Sequence, residues 1–256
     1  MPLSMSKGGT TEPFELQVAK GDIPGHSSYF KTGTIASQGT TEAIINSAGF
    51  VPAYQTAAGV AKISSASTDD AAAGTGCRTV LITGLSAAYV VISETVTLNG
   101  QTAVNTTLSY LRITNIQPAT FGAGGVSAGI IYAGTGVVTT GVPATLYLQC
   151  AAGASDVADL GAYAAMSDGY ELYITAINLV AGVSSNTATI AVKVRTLESA
   201  TWTTYYTFVT TVNGSDYIQF PMPIRVPAGS EFAITSDASA TTISASAVVE
   251  GILIAG

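Results

Sequence analysis

The segment 218–227 shows the clearest periodic pattern in the chain. Apolar side chains at positions 218, 220, 222, 224 and 226 alternate with Gln219, Pro221, Pro223, Arg225 and Pro227. A period of two predicts a β-strand with one buried face and one solvated face. Because proline cannot donate a hydrogen bond to a ladder, this strand should lie at the edge of a sheet or be interrupted by bulges.

Strand signals recur along the chain, whereas helix signals are nearly absent. Strands are expected at 170–179, 190–195, 202–209, 231–235 and 243–254, and upstream at 14–18, 78–83, 90–98, 107–116 and 130–132. Asn99-Gly100 has the composition of a tight turn. The best helical candidate, 156–166, begins with an aspartate but contains Gly161, so a short helix or turn is expected there.

This pattern predicts an all-β fold, namely an antiparallel β-sandwich of jelly-roll type with an extended N-terminal arm and an additional β-hairpin region. Another β-sandwich, such as an immunoglobulin-like one, is the alternative. The glycine-rich stretch 122–136 is the expected boundary. Residues 1–60 are then an anchoring arm, 61–136 a β-hairpin region and 137–256 the jelly-roll sandwich.

Composition excludes several classes of protein. The chain has 256 residues, of which 47% are hydrophobic and only 10% charged, and its net charge is −7. Low charge argues against global disorder, and scattered basic residues argue against nucleic-acid binding. Residues 1–9 lack the features of a secretory signal, and there is no long apolar run, so no membrane partner is expected. Cys77 and Cys150 are interpreted as thiols of a protein made in a reducing cytoplasm, although a disulfide between them stays open.

No arrangement of residues predicts catalysis or a cofactor. His26, the one histidine, lies in "GHSS" without a nucleophile motif, so a turn histidine is favoured over a member of a triad. Asp69-Asp70 and the aspartates at 156, 159 and 168 are interpreted as turn residues, with Ca²⁺ ligands as the alternative. Glu94 occupies a nominally apolar strand position. Tyrosines near 163–173 and 202–206 favour core and interface packing over a glycan patch.

Three segments of the chain are distinctive. The most specific, "STDDAAAGTGCRTVLITGLSAAYVVISETVTLNGQTAVNTTLSYLRIT", residues 67–114, resembles a segment of structural proteins of tailed bacteriophages, especially marine ones. Residues 13–34, "PFELQVAKGDIPGHSSYFKTGT", resemble the opening of those proteins, and "PIRVPAGSEFAI", 223–234, resembles their jelly-roll end. The chain departs from the common pattern at Cys77 and Val90-Val91, where small or polar residues are usual. This departure indicates that the segment packs against something here.

The resemblance implies a virion structural protein. Because no arrangement of residues predicts catalysis, no enzymatic activity is expected. We expect a capsid cement or decoration protein, a homotrimer on the capsid surface that binds the major capsid protein through its N-terminal arm. A jelly-roll shell protein, a vertex or tail fibre-knob protein, and a carbohydrate-binding attachment module are the alternatives; a virion-associated hydrolase is more remote. The expected interface residues share an apolar or aromatic character and lie in the arm. They are Phe14, Leu16, Val18, Ile23, His26, Tyr29 and Phe30.

Overall fold

The computed structural model describes residues 4–7, 10–46, 53–155, 161–182, 187–196, 198–211, 214–239 and 243–256. Up to residue 46 the elements are β1 (Ser4–Lys7), β2 (Thr10–Pro13), α1 (Phe14–Ala19), β3 (His26–Gln38) and β4 (Ala43–Ile44). Residues 53–155 form β5 (Gly59–Ser65), β6 (Cys77–Leu85), β7 (Val91–Thr97), β8 (Val104–Tyr110), β9 (Arg112–Phe121), β10 (Ile131–Thr139) and β11 (Val142–Cys150). The later strands are β12 (Tyr163–Ala165), β13 (Tyr170–Gly182), β14 (Thr187–Thr196), β15 (Thr203–Thr211), β16 (Gly214–Val226), β17 (Ser230–Ala238) and β18 (Ile243–Ala255).

Two antiparallel sheets share one hydrophobic core, and we call them the two-sheet body. The first has the strand order β16-β13-β18-β3, and the second has the order β12-β17-β14-β15, with β4 also paired to β17. Buried side chains from both sheets, among them Ile177, Ile190 and Phe232, form a single cluster. The body therefore combines strands from both ends of the chain.

The strand pairs of the two-sheet body are nested along the sequence. Leaving out the short β12, the chain order is β3, β4, β13, β14, β15, β16, β17 and β18. The first of these strands pairs with the last, the second with the seventh, the third with the sixth and the fourth with the fifth. The pairs β13–β18 and β14–β17 join these hairpin-like pairs into two sheets.

Residues 53–155 form a second β-structure, which we call the insert because it lies between β4 and β12. Its sheets have the strand orders β11-β10-β5-β8 and β7-β6-β9. Its own core contains Ile63, Ile82, Tyr110, Ile116 and Leu148. The chain thus leaves the two-sheet body after β4 and returns to it at β12.

The predicted proline-containing strand is confirmed. β16 lies at the edge of its sheet, and its register with β13 shifts once along its length. Phe220, Ile224 and Val226 are buried, as the alternation predicts, and Ile218 is partly buried. The prediction is wrong for Met222, which is 84% exposed because the register shift displaces it. The prolines are tolerated because an edge strand has ladder partners on one side only.

The amino-terminal region is organised differently from the predicted arm. Residues 26–38 form β3, which pairs with β18 and so belongs to the two-sheet body. The predicted strand at 14–18 is wrong, because residues Phe14–Ala19 form α1. Glu, Leu, Gln and Ala are good helix formers, and so short an alternation does not outweigh their propensity. Within the described residues, β1 and β2 pair with each other alone.

Two other segments also differ from the sequence interpretation. The predicted strand 107–116 is divided, because the chain changes sheet at Leu111: β8 pairs with β5, whereas β9 pairs with β6. The predicted boundary at residue 136 falls inside β10, which forms a hairpin with β11 and also pairs with β5. Strand pairing therefore groups residues 59–150 around one core. The division of the chain into units 1–60, 61–136 and 137–256 stays a prediction. Of the predicted helix or turn at 156–166, residues 156–160 lie outside the described residues, and Tyr163–Ala165 is β12.

Candidate interaction surface

The predicted anchoring residues lie along α1 and β3, which contact each other. The rings of Phe14 and His26 meet edge to face, with centroids 6.0 Å apart. Val18 is buried, whereas Leu16 is 44% exposed. Ile23 is partly buried in the turn between the two elements. Most of the predicted interface residues up to His26 therefore pack α1 against β3, whereas Leu16 faces outward.

Tyr29 and Phe30 point to opposite faces of β3. Tyr29 packs on Phe232 of the core, with ring centroids 6.2 Å apart, and burial raises the pKa of Tyr29 above its ordinary value. Phe30 is 67% exposed. Because successive side chains of a strand alternate between faces, the core position of Tyr29 forces Phe30 outward. An aromatic side chain this exposed is a candidate contact residue.

A groove of about 670 Å³ opens between β3, β12 and the insert. Its lining is mainly apolar, and the charged group in it is Lys31. The ammonium group of Lys31 has no ion-pair or hydrogen-bond partner among the described residues. The groove is lined by Ser27, Tyr29, Phe30, Lys31, Val91, Thr114, Ala164, Ala165, Met166, Ser167, Tyr170 and Leu253. Thus two of the predicted interface residues, Tyr29 and Phe30, belong to one concave surface.

A buried charge cluster joins the insert to the two-sheet body beside this groove. The carboxylate of Glu231, on β17, is fully buried and accepts hydrogen bonds from Arg195 Nε at 2.5 Å and Arg112 Nε at 3.3 Å. The hydroxyl of Tyr163 donates a hydrogen bond to the other carboxylate oxygen of Glu231. Arg112 comes from β9 of the insert, so this cluster ties the two structures together.

Aromatic rings and backbone carbonyls complete the surroundings of the two arginines. The ring of Tyr54 lies 4.6 Å from Arg112 Cζ and 4.9 Å from Arg195 Cζ, and Trp202 covers Arg195 at 4.1 Å. Arg112 Nη1 also donates to the carbonyls of Gln55 and Leu111. Desolvation, reinforced by Glu231, raises the pKa of Tyr163 well above its ordinary value. Removing one partner from a buried ion pair is strongly destabilising, so this cluster favours the position of the insert in which Arg112 reaches Glu231.

The aspartate pair at 69–70 has a structural explanation in this fold. The buried carboxylate of Asp70 accepts hydrogen bonds from Ser65 Oγ at 2.5 Å and from the backbone N–H groups of Cys77, Ala128 and Gly129 at 2.7–2.9 Å. Both of its oxygens are thus used in closing a loop. Within the described residues no group of three or more His, Cys, Asp or Glu side chains is placed to hold a metal ion, and of the other predicted aspartates, those at 156 and 159 lie outside these residues.

Glu94 stands at an apolar position of β7 because it reaches across to the other sheet of the insert. Its carboxylate accepts hydrogen bonds from the backbone N–H and hydroxyl of Thr107 and from the N–H of Leu108. Burial by itself raises the pKa of Glu94, but these hydrogen bonds outweigh burial and hold the pKa below its ordinary value. The side chain therefore fastens β7 to β8.

His26 and the cysteines show no arrangement for chemistry in the described residues. The Nδ1 atom of His26 lies 3.0 Å from the carbonyl of Pro24, which is the local contact expected of a turn histidine. Cys77 and Cys150 are not joined in a disulfide, and both are buried in the insert core. Burial, together with the charge of Asp70, raises the pKa of Cys77 to about 11, so the thiolate is scarce at neutral pH. No helix in the described part of the chain has the length and apolar character of a membrane-crossing segment.

Comparisons with known proteins give a weak structural likeness and nothing at the level of families. No family model matches the chain, and a comparison with curated proteins gives no match. Similar solved structures include the infectious bursal disease virus VP2 subviral particle, at 12% identity and a TM-score of 0.23, covering 91% of this chain and 73% of that chain. The structure of the Gt strain of that virus has 12% identity and a TM-score of 0.21, covering 96% of this chain and 78% of that chain. Likeness at this level does not establish a shared function.

Proposed function

We propose that the protein is a non-enzymatic structural component of a virus particle, a cement or decoration protein that binds the head shell as a homotrimer. The two-sheet body is its rigid part, and the insert is a β-structure carried on one end of it. The partner is the major capsid protein, and the place of the protein is the capsid surface.

The observation that carries this proposal is the nested strand pairing of the two-sheet body. Eight strands that pair first with last, second with seventh, third with sixth and fourth with fifth form a long hairpin wrapped into two sheets. This is the connectivity expected of a jelly roll, a fold used by viral capsid and lectin domains. We therefore interpret the body as a jelly roll, with the insert between its second and third strands.

The resemblance to tailed-phage structural proteins favours the virion among the functions of this fold. Its most specific segment, residues 67–114, falls wholly inside the insert and includes β6, β7 and β8. Val90 and Val91, where the chain departs from the common pattern, are exposed, and Val91 lines the groove beside β3. We therefore place the contact expected of Val90 and Val91 at the groove between the insert and the two-sheet body.

Copy number tests the cement function. Densitometry of purified particles should give this chain a stoichiometry comparable to that of the major shell protein, because a cement protein covers the whole lattice. A few copies per particle would instead indicate a vertex or tail fibre-knob protein and would refute the proposal.

Anchoring by the amino-terminal residues needs a sharper test than simple truncation. Removal of residues 1–30 would also remove part of β3, a strand of the body, so loss of binding would be ambiguous. We therefore expect the variant Leu16→Asp, which leaves the groove lining unchanged, to fold but to bind weakly in co-sedimentation to particles stripped of this protein. Val137→Asp is the matched control, because Val137 is 74% exposed on the insert, away from α1 and β3. Equal binding by both variants would contradict the anchoring role.

A carbohydrate-binding attachment module is the second candidate, and exposed tyrosines favour it. Tyr205 and Tyr206 on β15 and Tyr217 on β16 are largely exposed and lie on neighbouring edges of the two sheets. Amphipathic aromatic side chains of this kind stack on sugars as well as on protein surfaces. Binding on a glycan array that is lost in Tyr205→Ala/Tyr206→Ala would favour this function over cement.

A further inference from the structure

The edge strand β16 carries a rigid apolar protrusion. Ile224 pairs with Ile174 of β13, but the next pair along is Gln219 with Ala176, so residues 220–223 bulge opposite a single residue. Met222 lies at this bulge between two prolines and is 84% exposed. Proline restricts the backbone on both sides of the methionine. The backbone that carries the exposed side chain is therefore restricted, and we call this protruding residue the Met222 knob.

The groove lies at the same height on the opposite edge of the same sheet. Strand registers connect Ile224 through Ile174 and Gly251 to Tyr29. The next row connects Gln219 through Ala176 and Glu250 to Phe30. The knob lies between these two rows on β16, and the groove contains Tyr29 and Phe30 on β3. One edge of the sheet thus has an apolar protrusion, and the other has an apolar concavity level with it.

The charges on the two edges are complementary. Lys31 projects at the groove, and Asp216 is an exposed carboxylate near the start of β16; neither has an ion-pair partner among the described residues. Registers place Lys31 in the row of Ile218 and Asp216 in the row of Gly33. The two rows are two residues apart, or roughly 7 Å along a strand, which an extended lysine side chain spans. Each of the two residues lies on the face of its strand that also carries core-packing side chains, so both side chains point to the same side of the sheet.

We propose that the groove of one copy receives the Met222 knob of a second copy, and that Lys31 pairs across this interface with Asp216. The inference rests on the homotrimer in the proposed function and names the surface that forms it. Because the two edges are different surfaces, the contact is head to tail. Because knob and groove lie at one height, a rotation about an axis parallel to the strands brings them together without translation along that axis. Such a contact closes into a ring when the rotation is a whole fraction of a turn, which is one third of a turn for the proposed trimer.

The bulge also explains why two copies would not simply extend the sheet. Pro221 and Pro223 have no N–H to donate, so β16 is a poor template for backbone pairing with another strand. The contact must instead be made by side chains, and Met222 is the most exposed large apolar side chain of the described residues. Methionine fills irregular apolar spaces well because its side chain is unbranched and polarizable.

Sedimentation of the purified full-length chain tests the proposal. We expect concentration-dependent trimers for the wild type and a dissociation constant raised roughly tenfold or more in Met222→Asp, since burial of this side chain is lost. Val137→Asp, which places the same charge at an exposed valine of the insert, should sediment like the wild type. Both sites are exposed, and matching thermal unfolding of the variants would show that the fold is retained.

Charge exchange tests the second contact independently. Lys31→Glu and Asp216→Lys should each weaken the trimer by a few-fold, and the double variant should recover the wild-type constant. A wild type that is monomeric at every concentration, or a Met222→Asp variant as associated as Val137→Asp, overturns the proposal, and failure of the double variant to recover overturns the ion pair. Particle densitometry is separate: trimers with only a few copies per particle would support this interface and refute the cement function.

Discussion

Replacement of Glu231 by glutamine removes the charge that compensates two buried arginines. The side chains of Arg112 and Arg195 are only 4% and 6% exposed, and Glu231 is their ion-pair partner in the structure. Glutamine is nearly the same size, so packing changes little, but two cations are left in a region of low solvent access. Breaking a buried ion pair from one side costs about 3–5 kcal/mol.

That loss is large relative to the stability of the whole protein. Folded domains are typically stable by about 5–15 kcal/mol, so Glu231→Gln should remove a substantial fraction of the free energy of unfolding. Urea titration followed by tryptophan fluorescence is a direct assay, because Trp202 stacks on Arg195 in the cluster. The transition should move to lower urea concentration, and Trp202 should report the change.

Two further variants separate charge from packing. Glu171→Gln weakens the bidentate ion pair with Arg225 at the surface and should cost less than about 1 kcal/mol. A triple variant with methionine at 112, 195 and 231 removes all three charges and should be more stable than Glu231→Gln, because no buried charge is left uncompensated. The reasoning would be refuted if Glu231→Gln were no less stable than Glu171→Gln.

Three other outcomes follow from buried groups of the insert. Neither Cys77 nor Cys150 should react with a thiol reagent in the native state, whereas both should react after denaturation; prompt native reaction would contradict their burial. Asp70→Asn should lower the free energy of unfolding by about 3 kcal/mol, because an amide NH₂ would face backbone donors, whereas Asp69→Asn at an exposed site is the neutral control in the same urea titration. Burial raises the pKa of Glu94, but its hydrogen bonds outweigh burial and hold the pKa below its ordinary value. Ionised Glu94 therefore stabilises the folded protein above the ordinary glutamate pKa, and this stabilisation is lost as the pH falls through the lower pKa of the folded state. The stability difference between wild type and Glu94→Gln should therefore shrink in acid, and a constant difference across that range would oppose this explanation.

Local sequence patterns were sufficient to predict those strands whose surroundings stay much the same along their length. The alternation at 218–227 predicted both the buried face of β16 and its edge position, because proline excludes a central place in any sheet. The same reasoning placed strands near β13, β14, β17 and β18. All-β character follows from such signals, since a period of two is a property of the chain itself.

Only the tertiary structure decided which distant segments meet. β3 belongs to the body because β18 pairs with it, and no local signal in residues 26–38 distinguishes a core strand from an arm. No local signal in "GSEF" marks Glu231 as buried, yet the fold buries it between Arg195 and Arg112, which lie 36 and 119 positions away. Met222 was assigned to the core face by alternation, but a bulge in the register exposes it. In each case the position and burial of the residues depend on contacts with segments that are distant in the sequence. Periodicity predicts only the environment that a residue would have if its strand were regular.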